Sequence, residues 1–193
     1  MRAASILVAL VILASVGSAD TLTWVPWEVS AGGNDHEYAR SQLSANWATH
    51  QANAESLGAY LAILKTEDEN AFVTDNVLHL TSTHWFGLYQ PEGYVGDDIN
   101  LGWEWVDGDP LDYDSSEGVW LDWVNWAEGQ PDGYTQIDNG GYARIYGGTG
   151  EWSDWQGGAN YWAVYERAIP EPATLLMVLC GVAAVGLKRR LER

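Results

Sequence analysis

The chain predicts an α+β domain, on three observations. Helical signals fall early, between Trp47 and Val77, while short aromatic or β-branched runs cluster later. That order suits α+β rather than alternating βαβ units. The stretch from Asp107 to Gly141 is rich in Gly, Asp, Asn and Pro, and a loop of that length inside a domain is usually functional. The single cysteine, Cys180, lies in a C-terminal apolar run, so no disulfide braces the domain.

Each element has its own signal. A first helix runs from near Trp47 to Leu57 and stops at Gly58, a C-terminal cap. Tyr60 to Leu64 reads as a buried strand. Thr66-Glu67-Asp68-Glu69 is a capping box, a hydroxyl N-cap with glutamate three residues on. Ala71, Phe72, Val73 and Val77 continue it as a second amphipathic helix. His84–Tyr89, Gly102–Val106, Tyr142–Tyr146 and Tyr161–Tyr165 follow as short strands. No internal repeat is present.

The two ends read as addresses. Residues 1–19 form a signal peptide: Arg2, the apolar run Ile6 to Val16, then small Gly17, Ser18 and Ala19. Residues 169–193 hold Pro170-Glu171-Pro172, the apolar stretch Leu175 to Leu187 and the basic tail Lys188-Arg189-Arg190. The apolar stretch is at the short end for a transmembrane helix. Residues 20–168 remain as one domain with room for a real core.

Charge narrows the partners. Between Asp20 and Arg167 the basic residues are Arg40, Lys65, Arg144 and Arg167, against 25 acids, a formal charge of −21. Such a surface repels nucleic acid and anionic lipid and attracts cations. Twelve tryptophans and ten tyrosines argue against disorder. The chain reads as a non-enzyme. The four histidines show no metal or triad spacing, and no segment marks a raised-pKa acid beside a nucleophile.

One run concentrates oxygen donors on a turn: Trp126-Ala127-Glu128-Gly129-Gln130-Pro131-Asp132, followed by Trp152-Ser153-Asp154. Gln130 offers an amide oxygen and Asp132 a carboxylate. Pro131 between them suits a cis bond in a tight turn. Hard oxygen donors on irregular backbone suit Ca²⁺. A plain surface turn has the same composition. Asp107, Asp109, Asp112 and Asp114 are either an accessory Ca²⁺ site or solvated loop charges.

The order of these pieces resembles the C-type lectin-like domain. The resemblance runs through Gly33-Asn34-Asp35-His36-Glu37-Tyr38, Ala54-Glu55-Ser56-Leu57-Gly58, Glu69-Asn70-Ala71-Phe72-Val73 and Trp85-Phe86-Gly87-Leu88. Trp103 to Gly108, Trp126 to Asp132, Gly150 to Asp154 and Val164-Tyr165-Glu166 complete it. It implies two helices, small antiparallel sheets and a long irregular ligand-binding loop. The family's disulfide positions fall near Ala54 and Tyr165, and near Tyr142 and Gly157. None of these is cysteine.

The resemblance also implies a function. Sugar-binding members hold one Ca²⁺ and two vicinal sugar hydroxyls on the same oxygens. Here the metal set is Gln130, Asp132, Asp138, Ser153 and Asp154. The sugar set is Gln130, Asp132, Tyr134 and Asp154, with Tyr134 as the stacking ring or an exposed loop tyrosine. Gln130-Pro131-Asp132 resembles the galactose-type version. Ser153 stands where the family has asparagine, and a hydroxyl is the weaker ligand. An alignment on Tyr142 puts Gly140 in place of Asp138. The expected function is a Ca²⁺-dependent lectin on extracellular polysaccharide. The alternative is a calcium-independent domain that binds protein or serves as a scaffold. The C-terminal end resembles the bacterial PEP-CTERM signal. That implies export, processing by an exosortase-type protease, transient membrane anchoring and delivery to the cell surface or matrix.

Overall fold

The computed structural model describes residues 22–91, 94, 98–133 and 141–169. The segments expected as signal peptide and C-terminal address, and Tyr134 and Asp138, lie outside the described residues. Among the described residues no helix is long and apolar enough to cross a membrane.

The chain begins with β1 (Val25–Trp27) and β2 (His36–Arg40), then α1 (Trp47–Ser56), β3 (Tyr60–Leu61) and α2 (Glu67–Asn76). Then come β4 (Thr83–Tyr89), β5 (Glu104–Trp105), the hairpin β6 (Tyr113–Asp114) with β7 (Val119–Trp120), β8 (Gly141–Tyr146), β9 (Trp152–Gln156) and β10 (Trp162–Ala168). The α+β expectation holds, with two helices of ten residues each. The antiparallel sheets are present as well, and they join through one strand. One eight-stranded sheet runs β1-β2-β10-β4-β8-β9, with β3 on β10 and β5 on β4. Strand β10 unites it. Its Val164–Ala168 stretch pairs antiparallel with β2, and its Trp162–Ala163 end pairs parallel with β4. Among the described residues, only β6–β7 stands apart.

Local chemistry sets both helix starts. The Asn46 side chain accepts the Thr49 N–H at 2.8 Å, and Thr66 accepts that of Glu69 at 3.2 Å. The other arm of the capping box departs from expectation. The Glu69 carboxylate turns inward, accepting from the Tyr38 hydroxyl at 2.5 Å, the Asn34 amide at 2.9 Å and the Lys65 N–H at 3.1 Å. Glu69 is 6% exposed, and beside it Glu166, 2% exposed, takes His36 Nδ1 at 2.5 Å and the Ile63 N–H at 2.7 Å.

Two apolar clusters flank the sheet. One joins Leu64, Val73, Phe86, Leu88, Ile145 and Trp152; the other joins Trp47, Ala54, Leu61, Trp85, Ala163 and Tyr165. Gly87 lets β4 pass close to β3, since a Cβ there would sit 2.4 Å from the Leu61 carbonyl oxygen. The cysteine-free positions are filled by packing. Ala54 and Tyr165 share the second cluster. At the other pair, the Tyr142 ring lies so close to Gly157 that a Cβ there would meet it at 2.4 Å.

Trp152 anchors the long loop. Its ring centroid lies 5.1 Å from Phe86, 5.3 Å from Trp123 and 5.7 Å from Trp126. Its indole N–H donates to Asn70 Oδ1 at 2.8 Å. A buried indole with its N–H satisfied gives large apolar area and one fixed orientation.

Candidate functional site

The site is built on β9 and the segment beside it. Trp126 bridges Trp152 in parallel, with the Trp152 N–H donating to Asn125 O at 2.7 Å and the Ala127 N–H to Trp152 O at 2.8 Å. The chain then turns. The Gln130 N–H donates back to Ala127 O at 2.9 Å, Gly129 takes φ 78°, and the Gln130–Pro131 bond is cis. A positive φ is why glycine stands there.

This turn lands on Asp154. The Gln130 Oε1 accepts the Asp154 N–H at 3.1 Å. In return, Asp154 Oδ1 accepts from Asp132 N–H at 3.0 Å and Oδ2 from Gly133 N–H at 3.1 Å. Gln130, Asp132 and Asp154 are therefore brought together, with Asp132 exposed and Asp154 only 2% exposed. Burial pushes the Asp154 carboxyl above the usual carboxylate range, and the Asp132 charge adds to this; the two backbone N–H groups oppose it.

Ser153 is not part of that constellation. Successive strand residues face opposite sides of a sheet. Its hydroxyl accepts from Arg144 Nε at 2.9 Å, so the oxygen expected as a ligand is engaged on the face away from Asp154.

Calcium takes about six to eight oxygens. Gln130, Asp132 and Asp154 fit it as part of a set: hard oxygens only, and two neighbouring carboxylates whose repulsion a cation would relieve. Among the described residues no three of His, Cys, Asp and Glu gather into a metal-binding group. A full calcium shell would need further oxygens from outside these three residues.

The loop aspartates do not gather as an accessory site. Lys65 Nζ donates to Asp107 at 2.8 Å and to Asp109 at 2.6 Å. The Asp114 carboxylate caps its own turn through the Ser116 hydroxyl and N–H at 2.6 and 2.9 Å. The Arg144 contact with Ser153 was not anticipated from the sequence. The signal of Arg144 was scarcity, as one of four cations in a strongly acidic domain.

Comparison with known proteins bears on the fold. No family model matches the chain. A C-type lectin domain family 4 member F from Rattus norvegicus is 33% identical over 101 residues, 51% of this chain and 16% of that protein. The chain thus spans a small part of the length of the curated relatives it matches. Among solved structures, the mouse scavenger receptor C-type lectin carbohydrate-recognition domain superposes with TM-score 0.57 at 21% identity. It matches 77% of this chain and 95% of that one. A calcium-independent type II antifreeze protein superposes with TM-score 0.54 at 18% identity, over 77% and 96% of the two chains. Likeness at this level of identity establishes the architecture.

Proposed function

We propose that this chain, which carries the C-type lectin-like fold, is an exported carbohydrate-binding domain. Its sugar site is the cis Gln130–Pro131 turn seated on Asp154. That seating is the observation that carries the reading, because it gathers an amide oxygen and two carboxylates on one rigid corner. The names of the similar proteins agree with it. Gln130, Asp132 and Asp154, with Asp138, would hold Ca²⁺. Bound there, the ion supplies a positive centre for two vicinal sugar hydroxyls.

The chain's own groups orient the sugar. The Gln130 amide and the Asp132 carboxylate accept hydroxyl protons, and Tyr134 offers a ring for the apolar face of a galactose-like residue. The backbone N–H groups of Asp132 and Gly133 keep Asp154 aimed at the turn. In this reading the protein is processed at both ends, loses its C-terminal address to an exosortase-type protease and meets extracellular polysaccharide.

A second reading has a specific observation behind it. The Arg144–Ser153 contact ties up the hydroxyl expected as a metal ligand, which favours calcium-independent binding of protein or a scaffold role. Calorimetry of the exported protein with Ca²⁺, in wild type and Asp154→Ala, separates the two. Heat in wild type that disappears in the variant supports the calcium reading. No heat, with an unchanged melting temperature in calcium, ends it. A glycan array with and without chelator then tests the galactose preference, which Gln130→Glu/Asp132→Asn should abolish. Mass spectrometry of the exported protein should find the C-terminal address removed.

A further inference from the structure

We infer that the face of the sheet opposite the Gln130–Asp154 turn binds a carboxylate-bearing sugar at Arg144. The β8–β9 register sets Arg144 across from Ser153, and strand alternation turns Ser153 and Trp155 away from Asp154. On this face Arg144, Tyr146, Trp155 and Tyr161 are all partly exposed.

The guanidinium is held rigidly. Nε donates to Ser153 Oγ at 2.9 Å and Nη1 to the Tyr161 hydroxyl at 2.6 Å. Its carbon lies 4.1 Å from the Trp155 ring centroid, 5.2 Å from Tyr161 and 5.7 Å from Tyr146. The contact from Nη2 to the Tyr146 hydroxyl is long, 3.5 Å. Arginine has five N–H donors, so part of the fork stays available.

Lys65 pairs with two aspartates and Arg167 with Glu37, yet among the described residues no carboxylate lies within ion-pair distance of Arg144. Arg40 also lacks an ion pair among the described residues, but it lies over one ring, whereas Arg144 lies against three. A planar guanidinium fixed against aromatic rings is pre-organised to receive a carboxylate in bidentate fashion. The ring edges and tyrosine hydroxyls around it suit the apolar face and the hydroxyls of a sugar. A uronate residue presents both chemistries at once; an acidic peptide presents only the carboxylate. The acidity of the rest of the domain repels a densely charged polymer, so the ligand is an isolated or terminal uronate.

The test titrates the exported protein, in chelator, with methyl galacturonide, methyl galactoside and triglutamate, followed by NMR of the tryptophan indoles. Chelator removes the calcium-dependent reading from the outcome, so the two sites fail independently. The expected result is saturable binding of the uronide alone. Arg144→Gln should weaken it about tenfold or more, as loss of a charge-assisted pair requires. Tyr146→Phe, which keeps the ring and loses the hydroxyl, should weaken it several-fold with the melting temperature unchanged. Equal binding of the neutral galactoside or of triglutamate overturns the inference. So does undiminished uronide affinity in either variant, or no binding at all.

Discussion

Replacing Tyr38 by phenylalanine deletes one oxygen and leaves the ring. That hydroxyl donates to Glu69 at 2.5 Å, lies 3.5 Å from Glu166 and accepts from the Asn34 amide at 2.8 Å. Tyr38 is fully buried, and the two glutamates are 6% and 2% exposed. The variant opens no large cavity but leaves a buried carboxylate short of a donor. A hydrogen bond to a charged group contributes about 1.5–3 kcal/mol, so a loss of about 2–3 kcal/mol is expected. For a domain of this size that lowers the melting temperature by roughly 4–12 °C. Urea unfolding followed by tryptophan fluorescence measures it. Repeating the substitution in Glu69→Gln should shrink the cost, because the two changes remove one interaction. A loss below about 0.5 kcal/mol, the range of surface changes, would refute the idea that this hydroxyl ties β2 to α2.

Two further outcomes follow from the same coordinates. The Glu166 hydrogen bond raises the His36 pKa above its ordinary 6.5, so its stabilisation is complete below that value and fades as pH rises through the folded pKa. His84, lowered by burial to about 4, works the other way: its contribution is present above 6.5 and is lost as pH falls. Melting temperature should peak near pH 6.5, and His36→Gln should remove the fall on the alkaline side. Gly157→Ala would drive a methyl to 2.4 Å from the Tyr142 ring, so denaturant unfolding should record about 1–3 kcal/mol of destabilisation.

Helix starts were legible because Thr66 signals a cap with its own side chain, and so was the Gln130–Asp132 turn, whose proline and glycine are local. What escaped depends on pairing. Glu69 reads locally as half of a capping box, but its partners Asn34 and Tyr38 sit 35 and 31 residues away in the chain. The Arg144–Ser153 contact exists only once β8 and β9 are in register. Strands β1 and β2 carried no alternation strong enough to stand out. How the sheets join was not legible either, because it depends on β10 serving β2 with one end and β4 with the other.

The Tyr142 ring against Gly157 has a consequence for where the protein can persist. A cross-linked domain carries part of its stability in its denatured chain, whose freedom the link restricts. In residues 20–168 there is no sulfur to link, so that stability must come from the native contacts themselves. Reductants have no bond to cut, and oxidants have no thiol to mispair. The domain has no disulfide to form on the way to its native state, so its folding does not depend on the redox poise of its surroundings.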